Sequence, residues 1–190
     1  IKAYTGNYKN LKRKLKRFKN KGGTFEIIPT HLSESDLSEV KRCFIATSQK
    51  SIFYLPYQDL YLNSALTTSK SPVNNAFYFV ARLNNEFLGY QAALKTGNRL
   101  NALHGAFDRQ RKTTFHAYDI LFIKMTEFAI ENQLASIDFG SVINDTKKKM
   151  VNKTIDMSYY LLSKHSVIRH FFNQFLKKTK IQGKDQLKYL

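Results

Sequence analysis

Residue types that commonly perform enzyme chemistry are present, but their spacing excludes several reactions. Ser141 follows Asp138-Phe-Gly140 rather than standing in the G-x-S-x-G turn of serine hydrolases, and the lone Cys43 lies in an apolar helical pattern, where packing is the usual role. Neither the paired histidines of a zincin motif nor a glycine-rich phosphate loop of dinucleotide-binding proteins or P-loop ATPases occurs. We therefore predict no metal site. No two of the five histidines have the spacing of a zincin site; they are His31, His104, His116, His165 and His170.

A dense group of basic residues at the start of the chain is a clearer chemical signal. Residues 1–21 contain nine Lys and Arg and no acidic residue. Apolar residues at positions 8, 11, 15 and 18, followed by Gly22-Gly23, predict a basic amphipathic helix over residues 7–21. Its charged side is either a solvated face or a surface for nucleic acid, a phosphorylated substrate or an anionic membrane. The predicted polyanion-binding residues are Lys9, Lys12, Arg13, Lys16 and Lys19.

The length and composition fit one ordinary folded domain. The chain has 190 residues, of which 43% are hydrophobic, and a formal net charge of +17. This composition excludes a disordered chain, and no apolar run approaches the roughly 20 residues that cross a membrane. A single cysteine favours a reducing compartment, so we expect a cytoplasmic protein, either free or held at a membrane surface. Because the chain opens on Ile1, we expect either one domain over residues 1–190 or the C-terminal half of a tandem.

Hydrophobic periodicity predicts the elements that must position any site. Residues 24–28 alternate as a strand, and Ser33 with Asp36 resembles a capping box before a helical pattern. Residues 53–66 are helical or irregular, and residues 69–75 form a loop. Three apolar runs joined by Asn84-Asn85 and by Thr96-Gly-Asn98 then predict an antiparallel meander. Its strands are predicted over residues 77–83, 86–95 and 100–107.

The second half of the chain predicts a helix between two parallel strands. Residues 113–133 have the spacing of a long amphipathic helix, and residues 136–139 form a short strand that ends at Gly140. A strand, a crossover helix and a strand imply that residues 100–107 and 135–139 are parallel neighbours that splay apart, leaving a cleft capped by the start of the helix. A short basic helix over 144–153, a strand over 155–162 and a helix over 167–176 complete an α+β domain.

This order of elements resembles the GNAT acyltransferase fold, and its motifs resemble the C-terminal half of the FemAB-like branch. The basic helix ending in glycine, at residues 7–22, is similar to one in that group. Gly89-Tyr-Gln-Ala-Ala93 resembles a G-x-x-x-A strand, and residues 103–114 resemble the strand-to-helix turn. Ile137-Asp-Phe-Gly140 with Lys147-x-x-Met150 resembles the F-D-x-G…K-x-x-F segment. The resemblance implies an α/β sandwich with a mixed, mostly antiparallel sheet, a central meander and helices on both faces.

The resemblance also implies an activity. The domain would transfer an acyl or aminoacyl group to an amine acceptor by direct attack, with acyl-CoA such as acetyl-CoA, an acyl carrier or an aminoacyl-tRNA as donor. Such a reaction needs an N–H aimed at the developing oxyanion and a group that removes the amine proton. Partners implied in this way are a tRNA or an anionic surface, and a second GNAT-like domain upstream.

The resemblance assigns roles to individual residues, each beside a plainer structural role. Asp108 at a strand end is the candidate base or a turn aspartate, and Ala106 or Phe107 would offer the oxyanion N–H if Gly105 marks a bulge or close approach rather than simple packing. His104 shares a face with Ala106 and is a core or rim histidine. Tyr159 or Tyr160 would protonate the leaving group or pack in the core. The predicted donor-phosphate residues are Arg109, Arg111, Lys112, Thr113, Thr114 and Lys147, the last of which is alternatively part of a solvated lysine run.

One departure from the GNAT pattern keeps a second function open. Most members carry a glycine-bearing turn whose backbone N–H groups hold the coenzyme A pyrophosphate, whereas residues 109–114 contain no glycine. The alternative is a non-catalytic GNAT-like module that binds nucleic acid or anionic lipid through its basic surface. A third hypothesis is a structural half whose active site needs a partner domain.

Overall fold

Five β-strands form one sheet in the computed structural model of the chain, which describes residues 8–29, 32–48, 75–108, 117–140, 145–148, 150–155 and 170. The strands lie side by side in sequence order; β1 to β4 are antiparallel neighbours, and β4 pairs with β5 in parallel. The predicted α+β class, with a mostly antiparallel sheet built on a meander, is confirmed. The bounds are β1 (Gly23–Pro29), β2 (Ala76–Leu83), β3 (Glu86–Thr96), β4 (Arg99–Phe107) and β5 (Ser136–Asp138).

Helices cover both faces of the sheet, as predicted. Val40 of α2 packs in one cluster with Tyr78 of β2, whereas Phe128 of α3 contacts the ring of Phe79 at a centroid distance of 5.4 Å. Because neighbouring residues of a strand point to opposite faces, α2 and α3 lie on opposite sides of the sheet. The helix bounds are α1 (Tyr8–Asn20), α2 (Glu34–Ser48), α3 (Ala117–Glu131) and α4 (Asp145–Lys148).

Turn chemistry fixes the meander. Asn84 and Asn85 have φ values of 51° and 68°, and Gly97 has a φ of 58°. Asparagine and glycine tolerate this left-handed region better than other residues, and two-residue hairpins require it. The predicted hairpins are therefore confirmed at both joints.

The parallel pair is short. Arg99, Leu100 and Asn101 pair with Ser136, Ile137 and Asp138, and β4 then continues to Phe107 paired with β3 but without β5 beside it in the part of the chain that the structure describes. The prediction that the two segments are parallel neighbours is confirmed. The predicted cap over their carboxyl ends, at the start of the 113–133 helix, lies outside the described residues.

The first helix is anchored on the α3 side of the sheet. Leu11 and Phe18 are buried, and the Phe18 ring lies 4.9 Å from that of Phe25 in β1. Lys14 forms an ion pair with Asp119 in the first turn of α3. Inward packing is predicted for positions 8, 11, 15 and 18; it is confirmed for Leu11 and Phe18, whereas Leu15 is half-buried. The side chain of Tyr8 lies outside the described residues.

The buried surface of α3 is wider than the amphipathic pattern predicted. The helical spacing predicts a face of Phe115, Tyr118, Phe122, Met125 and Ala129, widened by Leu121 and Phe128. Ile120 and Ile123 are buried although the predicted apolar face did not include them. The reason is that α3 contacts β2, β3, β4 and β5 and also α1, so more than one of its sides is covered. A helix enclosed in this way loses the polar face that a single-sided pattern assumes.

The short basic helix ends earlier than predicted. α4 stops at Lys148 rather than at residue 153, because the Met150 N–H donates to the Lys147 carbonyl at 2.9 Å, which closes a tighter turn. Residues 151–155 have no regular structure. The elements predicted over 53–66 and 69–74, and nearly all of those predicted over 155–162 and 167–176, lie outside the described residues.

Two compact units divide the chain, Ile1–Met150 and Val151–Leu190. The sheet and α1 to α4 belong to the first unit. That residues 1–190 act as one domain remains a prediction. None of the described helices combines the length and the apolar character that a membrane crossing requires.

Candidate active site

A β-bulge shapes the end of β4. Gln91 of β3 pairs with Gly105 and Ala93 pairs with Ala102, so Leu103 and His104 together stand opposite one residue of β3. Such a two-against-one pairing is a bulge, which bends the strand and shifts its alternation by one residue. The prediction of a bulge or close approach near Gly105 is therefore confirmed.

Glycine is required at position 105 because other atoms occupy the space of a side chain. A Cβ there would lie 2.3 Å from Gln91 Oε1 and 2.9 Å from the Tyr90 carbonyl oxygen. Real Cβ atoms are not found at such distances, and the backbone carbonyl cannot move without disturbing the ladder. Gln91 is itself buried and donates to the Ala92 carbonyl at 3.0 Å. The buried Gln91 side chain thus fills the space beside Gly105.

The backbone beyond the bulge determines which N–H faces β3. The Asp108 N–H donates to the Leu88 carbonyl at 2.8 Å. Hydrogen-bonded and non-bonded pairs alternate along an antiparallel ladder, so Ala106 belongs to a bonded pair with Tyr90 and Phe107 to a non-bonded pair with Gly89. The Phe107 N–H therefore turns away from β3, toward the side on which β5 lies. Of the two predicted oxyanion donors, the Phe107 N–H is directed away from β3 and can meet a ligand. The Ala106 N–H is directed toward Tyr90 in the hydrogen-bonded pair of the sheet.

An open cleft of about 520 Å³ lies on the α2 face at this end of β4. Four of its lining residues are acidic and two are arginines, so its wall has an excess of negative charge in a protein whose net charge is +17. The cleft is lined by Ser35, Asp36, Glu39, Arg42, Arg82, Asn85, Glu86, Phe87 and Asp108.

Asp108 lies at the wall of this cleft. No residue of β5 is among the described residues that line the cleft, so it is not the one predicted between the carboxyl ends of β4 and β5, which stays a prediction. Its side chain is 14% exposed, and its Oδ2 lies 3.5 Å from Nη2 of Arg42. Arg42 is more tightly bound to Glu39, at 2.7 Å, one turn earlier on α2. A half-exposed arginine thus bridges two carboxylates and fixes the direction of Asp108.

Arg82 forms the second bridge of the cleft. It donates to Asp36 at 2.7 Å and to Glu26 at 3.2 Å, and its guanidinium lies over the Phe87 ring at 5.8 Å. Asp36 is buried at the start of α2, where its N–H is capped by Ser33 Oγ at 3.1 Å. The predicted cap is confirmed, and Arg82 ties it to the sheet.

His104 is a packed, neutral histidine. Its Nδ1 lies 2.9 Å from the Tyr90 hydroxyl, and its ring meets the Phe44 ring edge-on at 5.6 Å. Burial lowers the pKa of His104 to about 4, so the ring carries no charge at neutral pH. The interpretation of His104 as a core or rim residue rather than a catalyst agrees with these contacts.

Lys147 is buried, unlike the solvated run that was the alternative hypothesis. Its Nζ lies 5.8 Å from the centre of the Phe122 ring, and burial lowers the pKa of its ammonium group while Asp138 opposes that shift. Lys148, the next residue, is exposed. A Cβ on Gly140 would lie 3.7 Å from Lys147 Nζ, so this lysine sits close to the turn that follows β5.

The structure brings together a subset of the predicted site residues. Ala106, Phe107 and Asp108 are consecutive at the end of β4. Lys147 lies beside Gly140, after the end of β5, where the neighbouring part of β4 is Asn101 and Ala102, so it is not brought next to those three residues. The charged residues of α1 lie on a separate helix; Lys12, Arg13, Lys16 and Lys19 are exposed as predicted. The side chain of Lys9 is outside the described residues. Also outside them are Arg109, Arg111, Lys112, Thr113, Thr114, Tyr159 and Tyr160.

Sequence reasoning missed the two arginines of the cleft. Arg82 interrupts an apolar strand, and an arginine at such a position signals a paired charge more often than a solvated one. Arg42 follows Glu39 at i, i+3, which is the spacing of a helical ion pair. In the part of the chain that the structure describes, no group of three His, Cys, Asp or Glu side chains is arranged to hold a metal ion.

Comparison with known proteins identifies a family and a set of similar folds. Residues 6–148 match the family model described as acetyltransferase (GNAT) domain. No curated protein sequence matches significantly. L-PGS from Bacillus licheniformis is 16% identical with a TM-score of 0.53; the match covers 72% of this chain and 41% of that one. The chain thus spans about two fifths of L-PGS.

Two further solved structures are matched over all or most of their own length. The ribosomal-protein-alanine N-acetyltransferase from Brucella melitensis biovar Abortus 2308 is 16% identical with a TM-score of 0.50, over 75% of this chain and all of that one. The PaiA N-acetyltransferase from Thermoplasma acidophilum, in complex with coenzyme A, is 14% identical over 80% of this chain and 88% of that one, with a TM-score of 0.43. At these identities the likeness is one of fold alone.

Proposed function

Because this chain belongs to the GNAT acetyltransferase domain family, we propose that it is an N-acyltransferase of the FemAB-like type. It transfers an acyl or aminoacyl group from an acyl-CoA, an acyl carrier or an aminoacyl-tRNA to an amine acceptor by direct attack. The observation that carries the proposal is the end of β4, where the Phe107 N–H turns to the β5 side and Asp108 lines a cleft on the α2 face.

The donor carbonyl binds on the side of β4 toward which the Phe107 N–H points. When bound, the donor supplies a thioester or ester carbonyl. As the amine attacks, negative charge develops on the carbonyl oxygen, and a preorganised backbone N–H stabilises it. Gly105 supports this geometry, because the bulge beside it sets the direction of the Phe107 N–H. Lys147, and the predicted residues of 109–114, meet the donor phosphates.

The acceptor amine enters from the cleft. Asp36, Glu39, Glu86 and Asp108 give the cleft an attraction for a cationic amine, while Arg42 and Arg82 hold the first two carboxylates in place. The cationic acceptor first releases one proton to solvent, which gives its nitrogen the lone pair that attacks the carbonyl carbon. Asp108 accepts the second proton, which the nitrogen loses as the new bond forms. The carbon–sulfur or carbon–oxygen bond then breaks, and Tyr159 gives a proton to the leaving group.

Substitution of Asp108 tests the proposal. With acetyl-CoA and, separately, an aminoacyl-tRNA as donors, and with a panel of primary amines as acceptors, Asp108→Asn should lower kcat/KM by about 10²–10⁴-fold. The matched control Glu131→Gln, an exposed carboxylate at the end of α3, should leave it unchanged. The melting temperature of both variants reports their folding. An unchanged rate and pH profile for Asp108→Asn would show that Asp108 is a turn residue and not the group that accepts the amine proton.

A further inference from the structure

The exposed side of α1 is a continuous cationic surface. We call it the basic face, and none of its side chains is drawn into the core. α1 contains no acidic residue at any position, and in the described part of the chain Lys14 is the α1 cation with a recorded carboxylate partner, Asp119. The basic face consists of Lys12, Arg13, Lys16, Arg17 and Lys19, all of which are exposed.

The orientation of the basic face is fixed by the opposite side of the helix. Leu11 is 6% and Phe18 is 1% exposed, and the Lys14–Asp119 ion pair holds the helix against α3. The helix can therefore neither roll nor release its apolar side without losing that burial. The cations are presented outward by a rigid support, so a partner that binds them does not have to order the helix first.

The basic face and the acidic cleft lie on opposite sides of the sheet. α1 packs on α3, which covers one face, whereas the cleft is built on α2, which covers the other. A polyanion held by the basic face is thereby kept away from the carboxylates of the cleft, which would repel it. The separation of charge supports a ligand of extended negative charge on the α1 side.

The shape of the basic face discriminates between kinds of polyanion. At 100° per residue, positions 12 to 19 spread their cations over an arc of about 160°, with successive contacts at i and i+4 about 6 Å apart along the axis. A flat membrane touches a narrower arc, and binding to it gains most from apolar side chains that insert. Here the apolar side chains are already buried in the protein. A phosphodiester backbone can follow the arc and matches the spacing.

We propose that the basic face of α1 binds the phosphate backbone of a nucleic acid. The contacts are charge-assisted hydrogen bonds from lysine and arginine to phosphate oxygens, which position a strand without reading its sequence. The proposal does not rest on acyl transfer, because the affinity is measured with neither acyl donor nor amine acceptor present, so its failure is distinguishable from failure of the proposed function. RNA and DNA share this chemistry.

The test compares two variants of the full chain with equal loss of charge. Lys12→Gln/Lys16→Gln/Lys19→Gln removes three cations from the basic face, and Lys41→Gln/Lys95→Gln/Lys148→Gln removes three from α2, β3 and α4. Binding to a fluorescent single-stranded RNA of mixed sequence is measured between 50 and 200 mM salt, with the same sequence as DNA in a second arm. Vesicles containing an anionic phospholipid form a third arm.

We expect wild type to bind and to lose affinity steeply with salt. Each phosphate contact contributes about 0.7 to the log–log slope for single strands, so loss of three contacts should flatten the slope by about 2. Over this fourfold salt range, wild type should lose about 20-fold more affinity than the basic-face variant. The control triple variant should keep the wild-type slope. Binding of RNA, DNA or both supports the proposal and identifies the source of the phosphate.

Three results would overturn the proposal. These are equal weakening by both triple variants, binding to the anionic vesicles without binding to either nucleic acid, and no binding in any arm. The variant Lys12→Arg/Lys16→Arg/Lys19→Arg guards against a folding defect, because it keeps the charge and should retain the wild-type slope. Melting curves of all variants accompany the binding data.

Discussion

The two helices α1 and α2 lie on opposite sides of one sheet and use charge in opposite ways. On α2, Asp36 and Glu39 are paired with arginines, and the helix begins with a serine cap and acidic residues in its first turn. On α1 the first turn has no acid, and the cations point outward. The charges of α2 are paired within the fold and line the cleft, whereas on α1 the paired cation in the described part of the chain is Lys14, which holds the helix against Asp119 of α3. The exposed cations of the basic face are available to a partner.

The largest effect on stability should come from the apolar anchor of α1. Phe18→Ala removes a ring that is 1% exposed and packs against Phe25, so the free energy of unfolding should fall by roughly 3–5 kcal/mol. Lys16→Ala on the same helix should change it by less than about 0.5 kcal/mol. Urea titrations followed by circular dichroism measure both. Similar losses for the two variants would show that the basic face does contribute to folding.

A smaller effect should distinguish the two arginines of the cleft. Arg82→Met leaves Asp36, whose side chain is 11% exposed, without its 2.7 Å partner, and should cost about 2–3 kcal/mol. Arg42→Met removes a side chain that is 51% exposed and should cost no more than about 1 kcal/mol. The double variant Arg82→Met/Asp36→Asn should recover part of the loss. An equal loss in the free energy of unfolding for Arg82→Met and Arg42→Met would contradict the stronger role of Arg82 in the fold.

The smallest effect concerns pH and the α2 face. Burial lowers the pKa of His104 from 6.5 to about 4 in the folded protein. Below pH 6.5 the histidine is therefore protonated in the unfolded chain, whereas in the folded protein it stays neutral down to about pH 4. The contribution to stability is complete above pH 6.5 and is lost as the pH falls toward 4. Relative to His104→Gln, wild type should lose on the order of 1–3 kcal/mol over that window. Denaturation curves of both proteins at pH 7 and pH 4.5 measure the difference. An equal difference in the free energy of unfolding at the two pH values would contradict the lowered pKa of His104.

Local patterns predicted most of the described fold because local physics determines those elements. The spacing of Leu11 and Phe18 predicted α1, Ser33 predicted the start of α2, and Asn84-Asn85 predicted a hairpin; each is a property of a few neighbouring residues. One error came from contacts between distant segments, because Ile120 and Ile123 are buried on a helix that contacts α1 as well as the sheet. The other was local, because the short basic helix ends early where the Met150 N–H donates to the Lys147 carbonyl.

The site was predicted in part, for the same reason. Asp108 and Phe107 follow from their position at the end of an apolar strand, which the sequence shows directly. The role of Arg82 depends on Asp36 and Glu26, which lie on other elements, and no local pattern connects them. The burial of Lys147 depends in the same way on Phe122 of α3. Contacts between elements that are distant in sequence become visible when the fold is assembled.

The bulge at Leu103 and His104 shifts the alternation of side chains between the two faces of β4 by one residue. Ala102 and Gly105 share a face of the sheet although their numbers differ by three, so even-numbered residues before the bulge and odd-numbered residues after it are equivalent. Deleting one residue here would exchange the positions of Ala106, Phe107 and Asp108 between the two sides of the strand at once. Substitutions at Leu103, which is half exposed, leave that arrangement intact. Besides the glycine at position 105, what this segment requires is its length.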